Sequence, residues 1–578
     1  MSASSKKKIR KEQEAAKMTE RQRKAQKEAL RLKIYSIIFT VVIAAVLVSA
    51  IVVFTIKGIQ TSGLLNKRTT ALTIGDHKIN SVEMNYYYMD SVTKTYNQWE
   101  TSYGNSLPSM LSIMGLDLSK PLDEQPYYDE DKTWADYFMD MAIENAHSDY
   151  TLSDAAEAAN FTMSESDSMN LKSQIGSVEM QAMMSNFDDV DRFIAAYYGP
   201  GSDYDSYVDY MTRTATASAY YTTYNNELTF TEDDVNAHAD KHPNEYSSYS
   251  YAEYQLSVED FLGEGTTDAE GNVTHTDEQT AAAKEAAKAA ADEIAKATTL
   301  EELDAAIAAF ASQEEAAVEE EAATDEETAE VTEEDSKVEV PTSTKHENIL
   351  YSSLGEKYRN WLSEDGRKVG DIGVLEDTST SKDDDGNEVA TTTGYTVVFF
   401  SNLNDNKETM SNVRHLLVCP VAEEDELTGE EEISEEAWEA AKETAEMHLK
   451  NWKESDGTEE GFIELVKESS EDGGSVENGG LYENIHRDAN YEEAFLTWAV
   501  DPARTKGETG IVKTSYGYHI MYYVGKTEIT YFTYMITEEL RAAALEAWYN
   551  SIKESATATR QNLSRVDTST VLFNATGM

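Results

Sequence analysis

The pattern of hydrophobic and polar positions divides the chain into stretches of different kind. Residues 34–56 form a run of 23 without a charge, IYSIIFTVVIAAVLVSAIVVFTI. As a helix at about 1.5 Å per residue it reaches about 35 Å, enough to cross a hydrocarbon core. Soluble core helices are rarely apolar all round over such a length. A cleaved signal peptide has a shorter apolar region ending at small residues, whereas this run ends in Phe54, Thr55 and Ile56 before Lys57. A membrane-spanning helix over 34–56 is the expectation. After a polar linker, residues 71–90 (ALTIGDHKINSVEMNYYYMD) predict two short strands about a Gly75–Asp76 turn, then a helix whose start is marked by Asn80 and Glu83 at capping-box spacing. Residues 81–242 keep mostly helical patterning with many tyrosines, among them Tyr86, Tyr87, Tyr88, Tyr197, Tyr198, Tyr220 and Tyr221. These rings read first as core and helix contacts, and second as the lining of a cleft for unfolded chains. Thr231 to Asp234 cap a short helix that Pro243 ends.

Beyond residue 410 the pattern alternates between strand and helix. Residues 412–418 (NVRHLLV) read as an apolar strand carrying His415. Trp438, Ala441, Ala445, Leu449 and Trp452 fall on one helical face, and Phe462, Leu465 and Val466 mark a shorter helix. A polar loop, SSEDGGS at 469–475, then tightens on the glycines of Asn478-Gly479-Gly480-Leu481. Residues 510–521 (GIVKTSYGYHIM) form a turn feeding a strand that carries His519. The order strand, helix, helix, Gly-rich loop, helix, strand makes an α+β unit of about 110 residues, a size that folds alone.

Charge adds location and excludes partners. The net charge of −60 is uneven: residues 1–33 hold twelve Lys and Arg against four Asp and Glu, leaving −68 on the remainder. The basic stretch ahead of the apolar run keeps 1–33 in the cytoplasm by the positive-inside rule and sends the rest outside. So acidic a surface excludes nucleic acid as a partner. Cys419, the single cysteine, has no internal disulfide partner, and no Cys/His cluster has zinc-ligand spacing. His238 and His242 stand at i,i+4, but HADKH lacks the Glu that the zinc-protease pattern places after its first His, so no metal is expected. Residues 314–335 hold twelve acidic side chains in 22 and read as part of a disordered, solvated insertion over 313–340.

The VRHLLV strand, the Ser-x-Asp loop with its Gly-Gly-Leu, and the terminal YGYHI, in that order, resemble the signature of the parvulin family of peptidyl-prolyl isomerases, as in PrsA- and SurA-type foldases. The resemblance implies that His415 and His519 are the paired histidines on the floor of the active-site cleft, with Asp472 where the family has Cys or Asp. It further implies that Leu481, Tyr491 and Phe495 form the apolar pocket for the proline ring, and Thr514 and Tyr516 the polar rim. Tyr491 departs from the Met frequent in the family, and Val500 from a Phe. Either histidine alone reads as a hydrogen-bonded core residue; together with Asp472 and the glycine loop they read as a site. Such a site needs no cofactor and no covalent step, because an amide barrier of about 18 to 20 kcal/mol falls wherever the twisted bond is bound better than the planar ones. Residues 419–432 are acidic where phospho-specific members carry basic residues, so no preference for phosphorylated substrate is expected.

An ungapped parallel between 361–374 and 498–511, with Gly394 to Phe400 lying on Gly517 to Tyr523 and Tyr251 to Ser257 on Asn412 to Val418, indicates an earlier copy over 246–402. That copy has Tyr254 in place of His415 and Thr396 in place of His519, and is expected to be inert. The expected fold class is therefore α+β: a cytoplasmic tail (1–33), a transmembrane helix (34–56), a mostly helical chaperone-like module (68–245), a degenerate parvulin-like domain (246–402), a parvulin domain (408–527) and a C-terminal helical segment (528–578). The expected function is that of a single-pass, membrane-anchored extracytoplasmic isomerase and foldase, the alternative a non-catalytic peptide-binding holdase or cell-wall scaffold. The expected partners are unfolded or newly secreted polypeptides with X-Pro bonds, the membrane through one N-terminal helix, and a second copy in a homodimer.

Overall fold

Asn80 opens the first long helix as its spacing requires: its side-chain oxygen accepts the Glu83 N–H at 3.0 Å. The structure, a computed structural model, describes residues 3–13, 24 and 63–568, apart from 119, 129–130, 268–272, 323–340, 383–385 and 425–430. These fall into two compact units, one of residues 1–228 with 541–578, the other of 229–540.

In the first unit, strand β1 (Thr70–Ile74) pairs antiparallel with β2 (His77–Asn80), and on its other edge with a C-terminal strand, Ala558–Arg560. Helices α1 (Ser81–Tyr103), α2 (Trp134–Ala158), α3 (Glu165–Met184), α4 (Val190–Tyr198) and α5 (Tyr204–Glu227) pack around this small sheet. Tyr86, Tyr87 and Tyr88 are all buried in the core they build. The Tyr86 ring meets Tyr198 edge-on at 4.7 Å and stacks on Tyr210 at 5.1 Å, and burial pushes its hydroxyl up to about 12.

The expected transmembrane helix, and with it the single-pass placement in a cell membrane, is corrected here. No helix among the described residues is long and apolar enough to cross a membrane. Those of sufficient length, such as α2 and α5, carry acidic and polar side chains that hydrocarbon would leave unsolvated. The segment 34–56 itself lies outside the described residues.

The second unit begins with α6 (Glu232–Ala239), closed at its start by a Thr231–Asp234 capping box. The His238 and His242 rings stack at 4.6 Å. His238 Nε2 meets the Tyr246 hydroxyl at 2.7 Å and His242 Nδ1 meets Glu245 at 3.3 Å. No group of three or more candidate ligands able to hold a metal ion occurs among the described residues.

Two four-stranded antiparallel sheets follow with one plan. The first holds β3 (Ser248–Ser257), β4 (Thr344–Leu350), β5 (Ile372–Lys382) and β6 (Glu388–Asn404), in the order β4-β3-β6-β5, with α7 (Asp277–Ile294) and α8 (Leu300–Ala322) between β3 and β4 in sequence and α9 (Glu356–Leu362) after β4. Helix α8 runs into the acidic stretch as far as Ala322, and 323–340 lie outside the described residues. The second sheet holds β7 (Thr409–Val418), then α10 (Glu435–Ser455) and α11 (Glu459–Ser469), β8 (Leu481–Ile485), α12 (Glu493–Val500), β9 (Thr509–Lys513) and β10 (Tyr518–Thr530), in the order β8-β7-β10-β9. Helix α13 (Tyr531–Lys553) follows.

Register corrects one detail of the repeat. Met521 pairs with His415, and Val398, its counterpart, pairs with Glu253. Glu253, not Tyr254, therefore stands where the second sheet has His415. Tyr254 packs with Ala252, Leu256 and the helices of the first copy, as the two-residue period of a strand demands.

Candidate active site

Alternation along β7 sends Leu416 and Val418 to the face covered by α10 and α11, where they pack with Ala445, Phe462 and Val466. Val413, His415 and Leu417 are left for the opposite face. On the neighbouring strand His519 pairs with Leu417 and Met521 with His415, so the two histidines are diagonal neighbours on that face. Their rings lie 5.0 Å apart, with Nδ1 to Nδ1 at 2.9 Å. Both are buried, His415 at 3 % exposure and His519 at 6 %.

Asp472 is brought in by the loop after α11. Its Oδ2 meets His415 Nε2 at 2.8 Å and accepts from the Tyr482 hydroxyl at 3.1 Å and from the Ser475 hydroxyl. The Gly474 N–H donates to Oδ1 at 3.1 Å. At the far end, Thr514 Oγ1 lies 2.7 Å from His519 Nε2. These contacts order the protons. An ionised Asp472 only accepts, so His415 carries its proton on Nε2 and offers Nδ1 as an acceptor. His519 then donates from Nδ1, and its Nε2 accepts the Thr514 hydroxyl. Both imidazoles are neutral in this arrangement.

Burial pulls His415 below the usual histidine range against the opposing pull of Asp472. Burial, with the adjacent His415, brings His519 down to about 4. Burial works to raise Asp472, but the hydrogen bonds from Ser475, Gly474 and His415 outweigh it and hold the carboxyl below its ordinary value.

The Gly-Gly-Leu turn is a backbone requirement. Gly480 has φ 71°, and a Cβ there would lie 2.1 Å from the His415 carbonyl oxygen. Only glycine permits the close pass in which the His415 N–H donates to the Gly480 carbonyl at 2.9 Å.

Above the histidines opens a cavity of about 420 Å³. Phe495, 4 % exposed, stands edge-on to His415 at 5.4 Å and to His519 at 5.5 Å. Tyr491 packs 5.5 Å from Phe495, and Thr514 and Tyr516 also line the cavity. Of the eight residues singled out from sequence, seven come together here. Leu481 does not: it pairs with Arg414, on the other side of the strand. Tyr482 takes the wall, 4.9 Å from the His415 ring and 5.6 Å from Tyr491. Sequence reasoning also passed over Ser475. Tyr482 was detectable only through the pairing of β8 with β7, since the alternation of so short a strand has no internal reference.

Residues 427–525 match the family model described as Rotamase: PPIC-type PPIASE domain. The chain thus carries a parvulin-type peptidyl-prolyl isomerase domain. Asp472, Tyr482, Phe495 and His519 fall within the matched segment and His415 just before it. Among solved structures, the chain is similar to peptidylprolyl isomerase PrsA from Bacillus anthracis at 20 % identity, over 26 % of this chain and 59 % of that one, with a TM-score of 0.16. It is similar to PrsA from Bacillus subtilis at 22 % identity, over 28 % and 55 %, with a TM-score of 0.19. For PrsA from Bacillus cereus the figures are 21 %, 26 % and 50 %, with 0.16. The chain thus spans between half and three fifths of the length of each of these proteins. No curated protein matches the chain.

Proposed function

We propose that this chain is a peptidyl-prolyl cis/trans isomerase that assists folding of proline-containing polypeptides, with catalysis in the cavity above His415 and His519. The supporting observation is the fully partnered line Thr514, His519, His415, Asp472, its two histidines buried, beneath an aromatic wall. In this reading Tyr482, Tyr491 and Phe495 take the proline ring and strip water from the adjacent amide. Loss of solvent disfavours the polar planar amide relative to the twisted, less delocalised state. The two histidines, locked in one tautomer order by Asp472 at one end and Thr514 at the other, present a polar floor that does not reorganise as the bond rotates. No proton need leave the substrate and no covalent bond forms; preferential binding of the twisted state is enough.

The test is a proline-isomerisation assay on the full chain, either protease-coupled or by NMR exchange. Wild type is expected to accelerate a step that otherwise takes tens to hundreds of seconds. His415→Ala and His519→Ala are each expected to lose about 10²-fold in kcat/KM. Wild type without acceleration, while still binding the peptide, would establish a holdase instead.

A further inference from the structure

The cavity that would receive proline has a mouth of one charge sign. Its charged lining residues are Asp472 and Glu492, and no Lys or Arg lines it. Asp472 is consumed by His415, Ser475, Tyr482 and Gly474, which leaves Glu492 to meet a ligand. Glu492 immediately precedes α12 and is solvent-exposed. The Ser515 hydroxyl donates to its Oε1 at 3.0 Å, so the carboxylate is held at the rim while its other oxygen has no ion-pair partner among the described residues. Arg487, the basic residue nearest in sequence, pairs with Glu408, and Lys513, next to Thr514, sits 4.1 Å over the Trp438 ring of α10, on the helix-covered face of the sheet.

Beside Glu492 stand two rings that their own fold leaves uncovered, Tyr491 at 37 % exposure and Tyr516 at 66 %. Exposed tyrosine faces next to an unneutralised carboxylate attract a cation by ion pairing and by cation–π contact together, and attract an anion by neither. From this juxtaposition, and resting on the isomerase reading above, we infer that Glu492 is a specificity-determining residue that selects substrates with Lys or Arg flanking the proline. An unfolded chain rich in such sites is also drawn toward the acidic protein as a whole, but that attraction is not local to one side chain.

The experiment measures kcat/KM, and separately peptide affinity by NMR titration, for two peptide series in which Lys, Ala or Glu stands immediately before or immediately after the proline. With the full chain at low salt, Lys is expected to exceed Glu by about ten-fold in at least one series, the ratio shrinking as salt is raised. In Glu492→Gln the ratio is expected to fall to roughly three-fold, whereas Glu285→Gln, a carboxylate removed from the exposed face of α7, leaves it at the wild-type value. A wild-type ratio near one in both series overturns the inference, and so does a ratio that Glu492→Gln leaves unchanged. If no peptide is turned over, the isomerase reading fails, and the affinity ratios still decide whether the rim selects cations.

Discussion

His519 carries the sharpest consequence at the scale of single residues, because it is buried, neutral and joined to groups on both sides. Its pKa lies at about 4 in the folded chain, against about 6.5 for a solvated histidine. As pH falls below about 6.5 the unfolded chain takes up this proton first, so stability is lost between pH 6.5 and 4 and is fully present above. The size expected from a shift of that order is about 3 kcal/mol. Asp472, held below the usual carboxylate range, adds a loss of the same sign further into acid. Urea denaturation at pH 7 and pH 4.5 should therefore show a steeper acid loss for wild type than for His519→Gln, by about that amount. Equal pH dependence in the two proteins would show that His519 titrates normally.

Among elements, the segment joining β8 to α12 is held from an unexpected side. Arg487 donates to Ser248 Oγ at 2.8 Å and to Asn406 Oδ1 at 2.5 Å, and pairs with Glu408. Its neighbour His486 stacks on Tyr531 at 4.2 Å. Ser248 opens β3 and Asn406 lies between β6 and β7, so the loop that presents Tyr491 and Glu492 is fastened to the first sheet's own strands. Releasing it should loosen the pocket wall without touching the histidine line. Arg487→Ala is expected to raise KM about five-fold with kcat within about two-fold, since it removes positioning rather than chemistry. A double-mutant cycle with Tyr491→Ala should be non-additive if the effect passes through this loop.

At the scale of the whole molecule, the two sheets share strand order but not chemistry. Where the second has His415 and His519, the first has Glu253, which accepts from His346 at 3.0 Å and from the Tyr358 hydroxyl, and Thr396, which donates to Asp377 at 2.7 Å beside Lys357. Those side chains satisfy one another and include no histidine pair, so the first sheet offers no second copy of the proposed chemistry. The net charge of −60 bears on substrate choice as well. A phosphoserine before proline would meet Glu492 and an acidic surround, and is expected to slow turnover relative to serine; peptides assayed in parallel would show a rate advantage if this is wrong.

Much of the candidate site was legible in the chain because the chemistry proposed for it depends on residue types in a fixed order. Two histidines on apolar strands, a Ser-x-Asp loop and a glycine pair were enough to single out His415, Asp472 and His519. The need for glycine at 480 follows from a backbone contact that no side chain survives. The misreadings, Leu481 for Tyr482 and Tyr254 for Glu253, are each displaced by one residue. In a strand one residue is the difference between two faces, and which face looks into the cavity depends on the neighbouring strand, distant in sequence. The apolar run at 34–56 shows the complementary case, since its length and composition are properties of the sequence and the described helices include none like it. The sequence by itself thus determined which groups are available and in what order. Only the tertiary structure decided which of them meet, because hydrogen-bond register and burial are set by partners far along the chain.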